Sequence, residues 1–147
     1  MNIVAIGAHP DDLEIFAYGF LAAASSRGDN LTLGVATDGA AGGVNQGTEL
    51  ARQRAEETKN GLAALGTPTL LDLPDGQLAD APNAQNRIKD FIRNAAPDLV
   101  ITHAPEDYHP DHRALSAYVR DAVGFICPVL FCDTLMGVGF TPDYYID

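Results

Sequence analysis

Residues 3–12 read IVAIGAHPDD, an apolar run that ends in an imidazole, a proline and two adjacent carboxylates. A near-continuous apolar run of this length is typical of a strand that is covered on both faces of a sheet. The proline and the acidic pair predict a turn followed by the start of a helix. A strand that leads through a short turn into a helix is the repeating unit of a parallel α/β sheet.

The same unit recurs along the rest of the chain. Apolar runs predict strands at 3–7, 31–37, 69–73, 99–102 and 129–132, and the amphipathic stretches between them predict helices at 13–27, 49–65, 83–96 and 112–125. Right-handed crossovers between such strands place helices on both faces of the sheet. The sequence therefore predicts an α/β fold, Rossmann-like and doubly wound, with a mostly parallel sheet.

Length and composition narrow the class of protein. The 147 residues fit a single domain over 1–147, and the net charge of -11 leaves no basic surface for a nucleic-acid partner. The sequence has no basic leader and no apolar run of about 18 residues, so neither a signal peptide nor a membrane span is expected. Cys127 and Cys132 are spaced for opposite faces of a strand, which predicts free thiols and a cytoplasmic location.

A second polar loop follows the fourth predicted strand. Residues 103–112 read HAPEDYHPDH, so three of the four histidines fall within ten residues. In a doubly wound sheet, the loops after strands one and four flank the point where strand order reverses, and they can meet there. A catalytic zinc needs three nitrogen or oxygen ligands and one open position. His9, Asp12 and His112 are the candidates for those ligands.

Other side chains of these loops are candidates for chemistry beside a metal. Asp11 and His109 would be available for proton transfer and for stabilising an oxyanion. The alternative is that the loops serve only turns and helix caps, with Asp11 or Asp12 capping the first helix and Asp111 the fourth. Capping needs one side chain per helix, whereas adjacent Asp11 and Asp12 repel each other unless a cation or donor is present. The pattern therefore favours a metal site.

Three other classes of protein share parts of this pattern. A phospho-acceptor domain also carries paired acids after its first strand, but it needs a lysine after a late strand. The two lysines of this chain, Lys59 and Lys89, fall in predicted helices. A dinucleotide-binding domain needs G-x-G-x-x-G where this chain has GAHPD at 7–11. A metal-binding scaffold without catalysis stays open.

With both loops assembled, the sequence resembles the PIG-L/LmbE-like family of zinc-dependent N-deacetylases, which act on N-acetylglucosamine attached to another group. Besides AHPDD and HPDH, the resemblance includes TDG at 37–39, RAEE at 54–57, PDG at 74–76 and PDLVITH at 97–103. It implies a hydrolase with one Zn²⁺ per chain that removes the N-acetyl group from an N-acetylglucosamine-containing small molecule or glycoconjugate. Another N-acyl amine is the alternative substrate.

The resemblance also implies roles for the residues of the two loops. It implies His9, Asp12 and His112 as zinc ligands, in agreement with the interpretation from residue types alone. It implies Asp11 as the general base. His109 is implied to polarise the acetyl carbonyl or to protonate the leaving amine.

Further residues are implied around this centre. Asp111 is implied to orient a neighbouring histidine. Arg54 and Asp75 are implied to reach sugar hydroxyls, the alternatives being a solvated helix face for Arg54 and a turn for Asp75. We expect His103 and Tyr108 to pack or to support the site rather than to bind the metal.

Members of the family usually continue beyond the point where this chain stops, with elements that complete one wall of the pocket. Residues 142–147 read PDYYID and resemble the start of a strand. The fold is therefore expected to be short at its C-terminus, with impaired catalysis as an alternative outcome. Uncovered apolar residues at this end favour self-association, so we expect a homo-oligomer.

Overall fold

The computed structural model describes residues 1–44, 46–133 and 141–146. Five parallel strands form one sheet, and in chain order they are β1 (Asn2–Gly7), β2 (Asn30–Thr37), β3 (Thr69–Leu73), β4 (Leu99–His103) and β5 (Val129–Cys132). Their order across the sheet is β3-β2-β1-β4-β5. All five predicted strands are confirmed, each to within one residue at either end.

Helices connect the strands. A π-helical segment (Leu13–Ala17) leads into α1 (Tyr18–Ser26), and the later crossovers contain α2 (Thr48–Gly61), α3 (Ala84–Asn94) and α4 (Pro110–Val123). A short 3₁₀ turn lies at Leu78–Asp80. Among the described residues, no helix has both the length and the apolar character needed to cross a bilayer.

Helices cover both faces of the sheet because alternate residues of each strand point in opposite directions. On one face, Ile6 packs in an apolar cluster with Ile88 of α3 and Leu115 of α4. On the other face, Ile3 packs in a second cluster with Leu21 of α1. All five side chains are at most 1% exposed. The predicted doubly wound α/β fold is confirmed.

The order of the strands reverses at β1. Ile3 lies opposite Leu31 of β2 on one side and opposite Leu99 of β4 on the other. The chain moves outward from β1 through β2 to β3, and then returns to form β4 on the opposite side. The loops that leave β1 and β4 therefore start side by side at the carboxyl edge of the sheet, which is where open α/β sheets bind their ligands.

Several helix boundaries differ from the sequence prediction, and α3 and α4 each end two residues early. α2 ends at Gly61 rather than at residue 65, and the following residues turn back through bonds from the amides of Leu65 and Gly66 to the carbonyl of Leu62. α4 begins at Pro110, two residues earlier than predicted, because proline suits the first turn of a helix.

The start of α4 also corrects the predicted cap. His109 precedes the helix, and its Nδ1 accepts a hydrogen bond of 3.2 Å from the amide of Asp111. Asp111, which the alternative interpretation made a cap, instead accepts bonds on its carboxylate from the amides of Gly76 and Leu78. The predicted start of a strand near the C-terminus is wrong for the described residues, because 141–146 form no strand. Tyr144 and Tyr145 in this segment are exposed.

Candidate metal centre

The loops after β1 and β4 meet at the switch point, as predicted. His103, the last residue of β4, places Nε2 2.9 Å from Asp12 Oδ2 and 3.0 Å from the amide nitrogen of Ala8. The ring of His103 stacks on that of His112 with centroids 3.7 Å apart. Both rings and the carboxylate are almost fully buried. His103 therefore contacts two of the candidate ligands, Asp12 and His112.

Three donor atoms converge between the loops. His9 Nδ1 lies 3.2 Å from His112 Nε2 and 3.6 Å from Asp12 Oδ2, and His112 Nε2 lies 3.4 Å from Asp12 Oδ1. Ligand atoms around a tetrahedral zinc with bonds of about 2.0–2.1 Å are separated by about 3.3 Å. Two imidazoles and a carboxylate are also a donor set that zinc accepts. The residues present therefore fit a zinc ion.

Three overlapping groups offer other ways to complete a donor set, and one of them joins His9 to Asp75 and Asp111. His109 has a ring nitrogen within 4.8 Å of donor atoms on His9 and His112, and His103 is similarly close to Asp12 and His112. The ring of His109 lies 4.6 Å from that of His9 and 4.8 Å from that of His112, measured between centroids. His9 and His112 each belong to two of these three groups.

Hydrogen bonds between the buried carboxylate and the imidazoles shift the pKa values of these groups. Burial alone would lower the pKa of His9, but hydrogen bonds to Asp12 and Asp75 outweigh it and raise that pKa to about 10. Burial opposes charge on Asp12 as well, yet bonds from His103, His112 and His9 hold its pKa well below the usual range. The pKa of His112 is raised in the same way, against burial, by Asp12 and Asp107.

A carboxylate lies behind each candidate histidine ligand. Asp107 is 2% exposed and places Oδ2 3.0 Å from His112 Nδ1, while its Oδ1 accepts a bond from the amide of His109. A carboxylate on the far nitrogen of a metal-binding imidazole fixes the tautomer and orientation of the ring. Sequence reasoning missed this role of Asp107. Its position five residues before a candidate histidine ligand was the available signal.

His9 is backed by two carboxylates. Asp75 Oδ1 lies 3.1 Å from His9 Nε2, and Asp111 Oδ2 lies 3.3 Å from the same atom. Asp111 is fixed in turn by bonds from the amides of Gly76 and Leu78, at 2.7 and 3.0 Å. The predicted contact between Asp111 and a neighbouring histidine is therefore present in the geometry. Asp75, predicted to reach sugar hydroxyls, is placed against His9 with only 7% of its side chain exposed.

His109 stands at the open side of the donor triangle. Because its Nδ1 accepts from a backbone amide, its ring proton lies on Nε2. The ring is half-buried, and burial together with the positive charges of His9 and His112 lowers its pKa. His109 is therefore a neutral donor at pH 7, the state required for polarising a carbonyl. Tyr108 beside it is 44% exposed.

Asp11 lies next to the donor triangle, but its carboxylate is directed elsewhere. Its Oδ2 accepts a bond of 2.5 Å from Arg54 Nη2, and the same nitrogen donates to the carbonyl of Pro10 at 2.6 Å. Burial raises the pKa of Asp11, and Arg54 opposes that rise. Half of the Asp11 side chain remains exposed. Arg54 points inward from α2 with 18% exposure, so the alternative of a solvated helix face is wrong.

A cavity of about 440 Å³ opens beside Asp11. It lies between the loop after β1, the π-helical segment and α2, and its lining includes Pro10, Glu14, Leu50, Arg54 and Glu57. Glu14 forms part of the wall through a 2.6 Å bond that its Oε1 accepts from Thr58. The lining of this cavity includes Asp11 but none of the three candidate metal ligands.

This fold and this site define a class: Rossmann-like α/β proteins that carry a buried cluster of histidines and aspartates at the switch point of the sheet. The sequence profile of the PIG-L family, described as GlcNAc-PI de-N-acetylase, matches residues 4–123. The chain belongs to that family, which confirms the resemblance identified from the two motifs.

Relatives support the assignment to a family of deacetylases. The chain is 34% identical over 125 residues to the uncharacterized deacetylase YaiS of Escherichia coli (strain K12), covering 78% of this chain. It spans 63% of the length of that relative. The conserved protein TT1542 of Thermus thermophilus superimposes with a TM-score of 0.81 at 26% identity, covering 98% of this chain and 70% of the other.

A third similar protein has an activity in its name. The N,N'-diacetylchitobiose deacetylase of Pyrococcus horikoshii, solved with its inhibitor MPG, superimposes with a TM-score of 0.77 at 27% identity. The match covers 84% of this chain and 49% of that one. This chain therefore spans about half the length of that deacetylase.

Proposed function

We propose that this chain carries the active site of a zinc-dependent N-deacetylase that releases acetate from an N-acetylglucosamine-containing small molecule or glycoconjugate. The observation that carries the proposal is the donor triangle of His9, Asp12 and His112, with separations of 3.2–3.6 Å, and an ionisable Asp11 directly beside it. His9, Asp12 and His112 would hold the ion, each supported by a buried partner. A bound zinc supplies an activated water at neutral pH and a Lewis acid for the acetyl carbonyl.

The reaction needs one group that accepts a proton and one that returns it. Asp11 is half-exposed and borders the cavity, so its carboxylate can take the proton of the water that adds to the acetyl carbon. The Nε2 proton of His109 can donate to the carbonyl oxygen as negative charge develops on it. The C–N bond then breaks as the proton held by Asp11 reaches the nitrogen, giving acetate and a free amine. His109, whose single ring proton lies on Nε2, supplies that proton only if it has first gained a second one.

The substrate class follows from the family and from the charge of the site. The family is described as GlcNAc-PI de-N-acetylase, and a similar solved protein is named as an N,N'-diacetylchitobiose deacetylase. The cavity beside Asp11 is lined by Asp11, Glu14 and Glu57, against the single cation Arg54. Because acidic walls disfavour anions, we infer a neutral or cationic amino-sugar conjugate. Another N-acyl amine is the second candidate, since the cavity lining does not discriminate a sugar from other polar groups.

Metal analysis combined with an amine-release assay tests the proposal. The purified chain should contain about one zinc ion and should release amine from N-acetylglucosamine derivatives, and removal of zinc by a chelator should abolish the release. Zinc bound without amine release from any N-acyl amine would instead identify a metal-binding scaffold. A chain that binds no zinc would refute the proposal.

Assembly and location are inferred from exposed groups. Just after α4, Phe125 is fully exposed and Ile126 is 58% exposed. Tyr144 is 80% exposed. Because exposed apolar side chains favour association, we infer a homo-oligomer, which light scattering over a concentration series will test. Cys127 and Cys132 carry free thiols, which supports the inferred cytoplasmic location.

A further inference from the structure

The side chain of Arg54 passes between two glycines of the loop after β2. A Cβ atom on Gly39 would lie 3.2 Å from Arg54 Cδ, and a Cβ atom on Gly42 would lie 2.5 Å from Arg54 Nη1. Both distances are tighter than ordinary van der Waals contacts, and the second is a clash. The observed path of the arginine therefore depends on the lack of side chains at these two positions.

The guanidinium at the end of this path holds two consecutive residues. Arg54 Nη2 donates both to the carbonyl of Pro10 and to the carboxylate of Asp11. Asp11 has a φ angle of +129°, a conformation that side chains other than glycine rarely adopt. Such a residue persists only where its surroundings hold it in place, and strained residues of this kind cluster at active sites.

We propose that Arg54 is a positioning residue that acts through Asp11, and that Gly39 and Gly42 form the channel that directs it there. The inference rests on the proposed function, in which Asp11 is the proton acceptor. It differs from the expectation that Arg54 binds sugar hydroxyls. Loss of a residue that binds substrate raises KM, whereas loss of a residue that orients the proton acceptor lowers kcat.

Burial and geometry favour this role over that of a surface ion pair. The Arg54 side chain is 18% exposed. One of its nitrogens donates to the Pro10 carbonyl, 44 residues away in sequence, and to the Asp11 carboxylate, 43 residues away. The Asp11 carboxylate is held on one oxygen while half of the side chain stays exposed beside the cavity. Arg54 therefore orients the carboxylate without closing access to it.

Gly42→Ala offers a test that changes neither Arg54 nor Asp11. Gly42 does not have a positive φ angle, so its backbone accepts alanine, and the new methyl group would displace the flexible end of Arg54. We expect kcat on an N-acetylglucosamine derivative to fall about 100-fold, as for other misplaced catalytic groups, while KM and zinc content remain within about twofold. Val44→Ala, at a fully exposed position of the same loop, is the control and should leave kcat unchanged.

Two variants of the arginine complete the test. Arg54→Met should reduce kcat at least as much as Gly42→Ala, and Arg54→Lys should restore part of the loss because an ammonium can still bond to Asp11. In an Asp11→Asn background, Gly42→Ala should cause no further loss. A raised KM with unchanged kcat, in Gly42→Ala or in Arg54→Met, would overturn the inference and identify Arg54 as a substrate-binding residue.

Crystal structures of the zinc-loaded parent and Gly42→Ala proteins give a readout that is independent of activity. We expect the Arg54 guanidinium to be displaced and the Asp11 carboxylate to move with it. An unmoved Asp11 beside a displaced Arg54 would refute the positioning role even in an active enzyme. Full activity of Asp11→Asn would instead refute the proposed function, while the crystal structures would still decide whether Arg54 positions Asp11.

Discussion

His9 and His112 direct ring nitrogens at each other across 3.2 Å, although they are 103 residues apart in the sequence. Each ring has a carboxylate on its other nitrogen: Asp75 and Asp111 behind His9, and Asp107 behind His112. Two protonated imidazoles at this distance would repel each other. The carboxylate of Asp12, near both ring nitrogens, offsets that repulsion. The arrangement is therefore suited to a cation.

Removal of either histidine should abolish zinc binding. His9→Ala and His112→Ala each delete one donor of the triangle, so we expect metal analysis to find less than a tenth of the zinc of the parent protein. His109→Ala is the matched comparison, because His109 belongs to the overlapping donor group but not to the proposed triangle. It should keep its zinc and lose kcat. Loss of zinc from His109→Ala would show that the three-histidine group holds the ion.

The adjacent aspartates should give opposite phenotypes. Asp11→Asn keeps the shape of the side chain but cannot accept a proton, so we expect retained zinc and a kcat reduced by about 10²- to 10⁴-fold. Asp12→Asn removes a buried charge that contacts three histidines and should release the metal. Steady-state kinetics and metal analysis on the same preparations check both. An exchange of the two phenotypes would mean that the ligand and the base are reversed.

Asp107 should affect zinc through His112. Asp107→Asn leaves the ligand in place but removes the negative charge 3.0 Å from its Nδ1. We expect zinc affinity to fall about 10- to 100-fold, measured by competition with a fluorescent chelator. Glu106→Gln, at the exposed neighbouring position, is the control and should leave the affinity unchanged. Equal affinities for both variants would show that Asp107 does not support the ligand.

Stability should depend strongly on pH without zinc and only weakly with zinc, because a zinc-bound His9 has no proton to lose over this range. The pKa of His9 is about 10 in the metal-free fold, against 6.5 for an ordinary histidine, so its stabilising charge is fully present below pH 6.5. As the pH rises from 6.5 toward 10, the metal-free protein should lose up to about 1.4 kcal/mol of its free energy of unfolding per pH unit. Zinc competes with the same proton, so its binding strengthens over this interval.

Thermal unfolding of chelator-treated and zinc-loaded protein at pH 6.5 and 9 measures this effect. The Tm of the metal-free protein should fall between the two pH values, and the difference between the two preparations should widen. His9→Ala should remove the widening. A constant difference in the parent protein would contradict the assignment of His9 as a proton-linked ligand.

A neutral substrate should be preferred over an anionic one. The cavity beside Asp11 also contains Glu14 and Glu57, and its one cation, Arg54, is already paired with Asp11. We expect a higher kcat/KM for a neutral N-acetylglucosamine glycoside than for a phosphorylated analogue, with the gap narrowing as salt screens the charges. A higher kcat/KM for the phosphorylated compound that decreases with added salt would contradict this prediction. It would indicate that a cationic side chain of the protein binds the phosphate.

Much of the fold could be predicted because its signals are local. The strands are short apolar runs bounded by turn residues, and the helices between them have apolar positions at helical spacing. Helix boundaries were predicted less closely, since α2 ends four residues before its predicted limit. The π-helical segment Leu13–Ala17 had no recognisable signal in the sequence, although Leu13 and Ala17 are buried in an apolar cluster against the sheet.

The sequence by itself determined the α/β class, the two polar loops and the residue types of a zinc site, since apolar periodicity and motif spacing are properties of neighbours in the chain. Only the tertiary structure decided which side chains face one another. It placed Asp75 against His9, Asp107 against His112 and Arg54 against Asp11. The first and the last of these pairs join distant parts of the chain, because the crossovers bring them to one sheet edge. The first distance depends on the registers of β1 with β2 and of β2 with β3, and the last depends on the packing of α2, none of which a local pattern records.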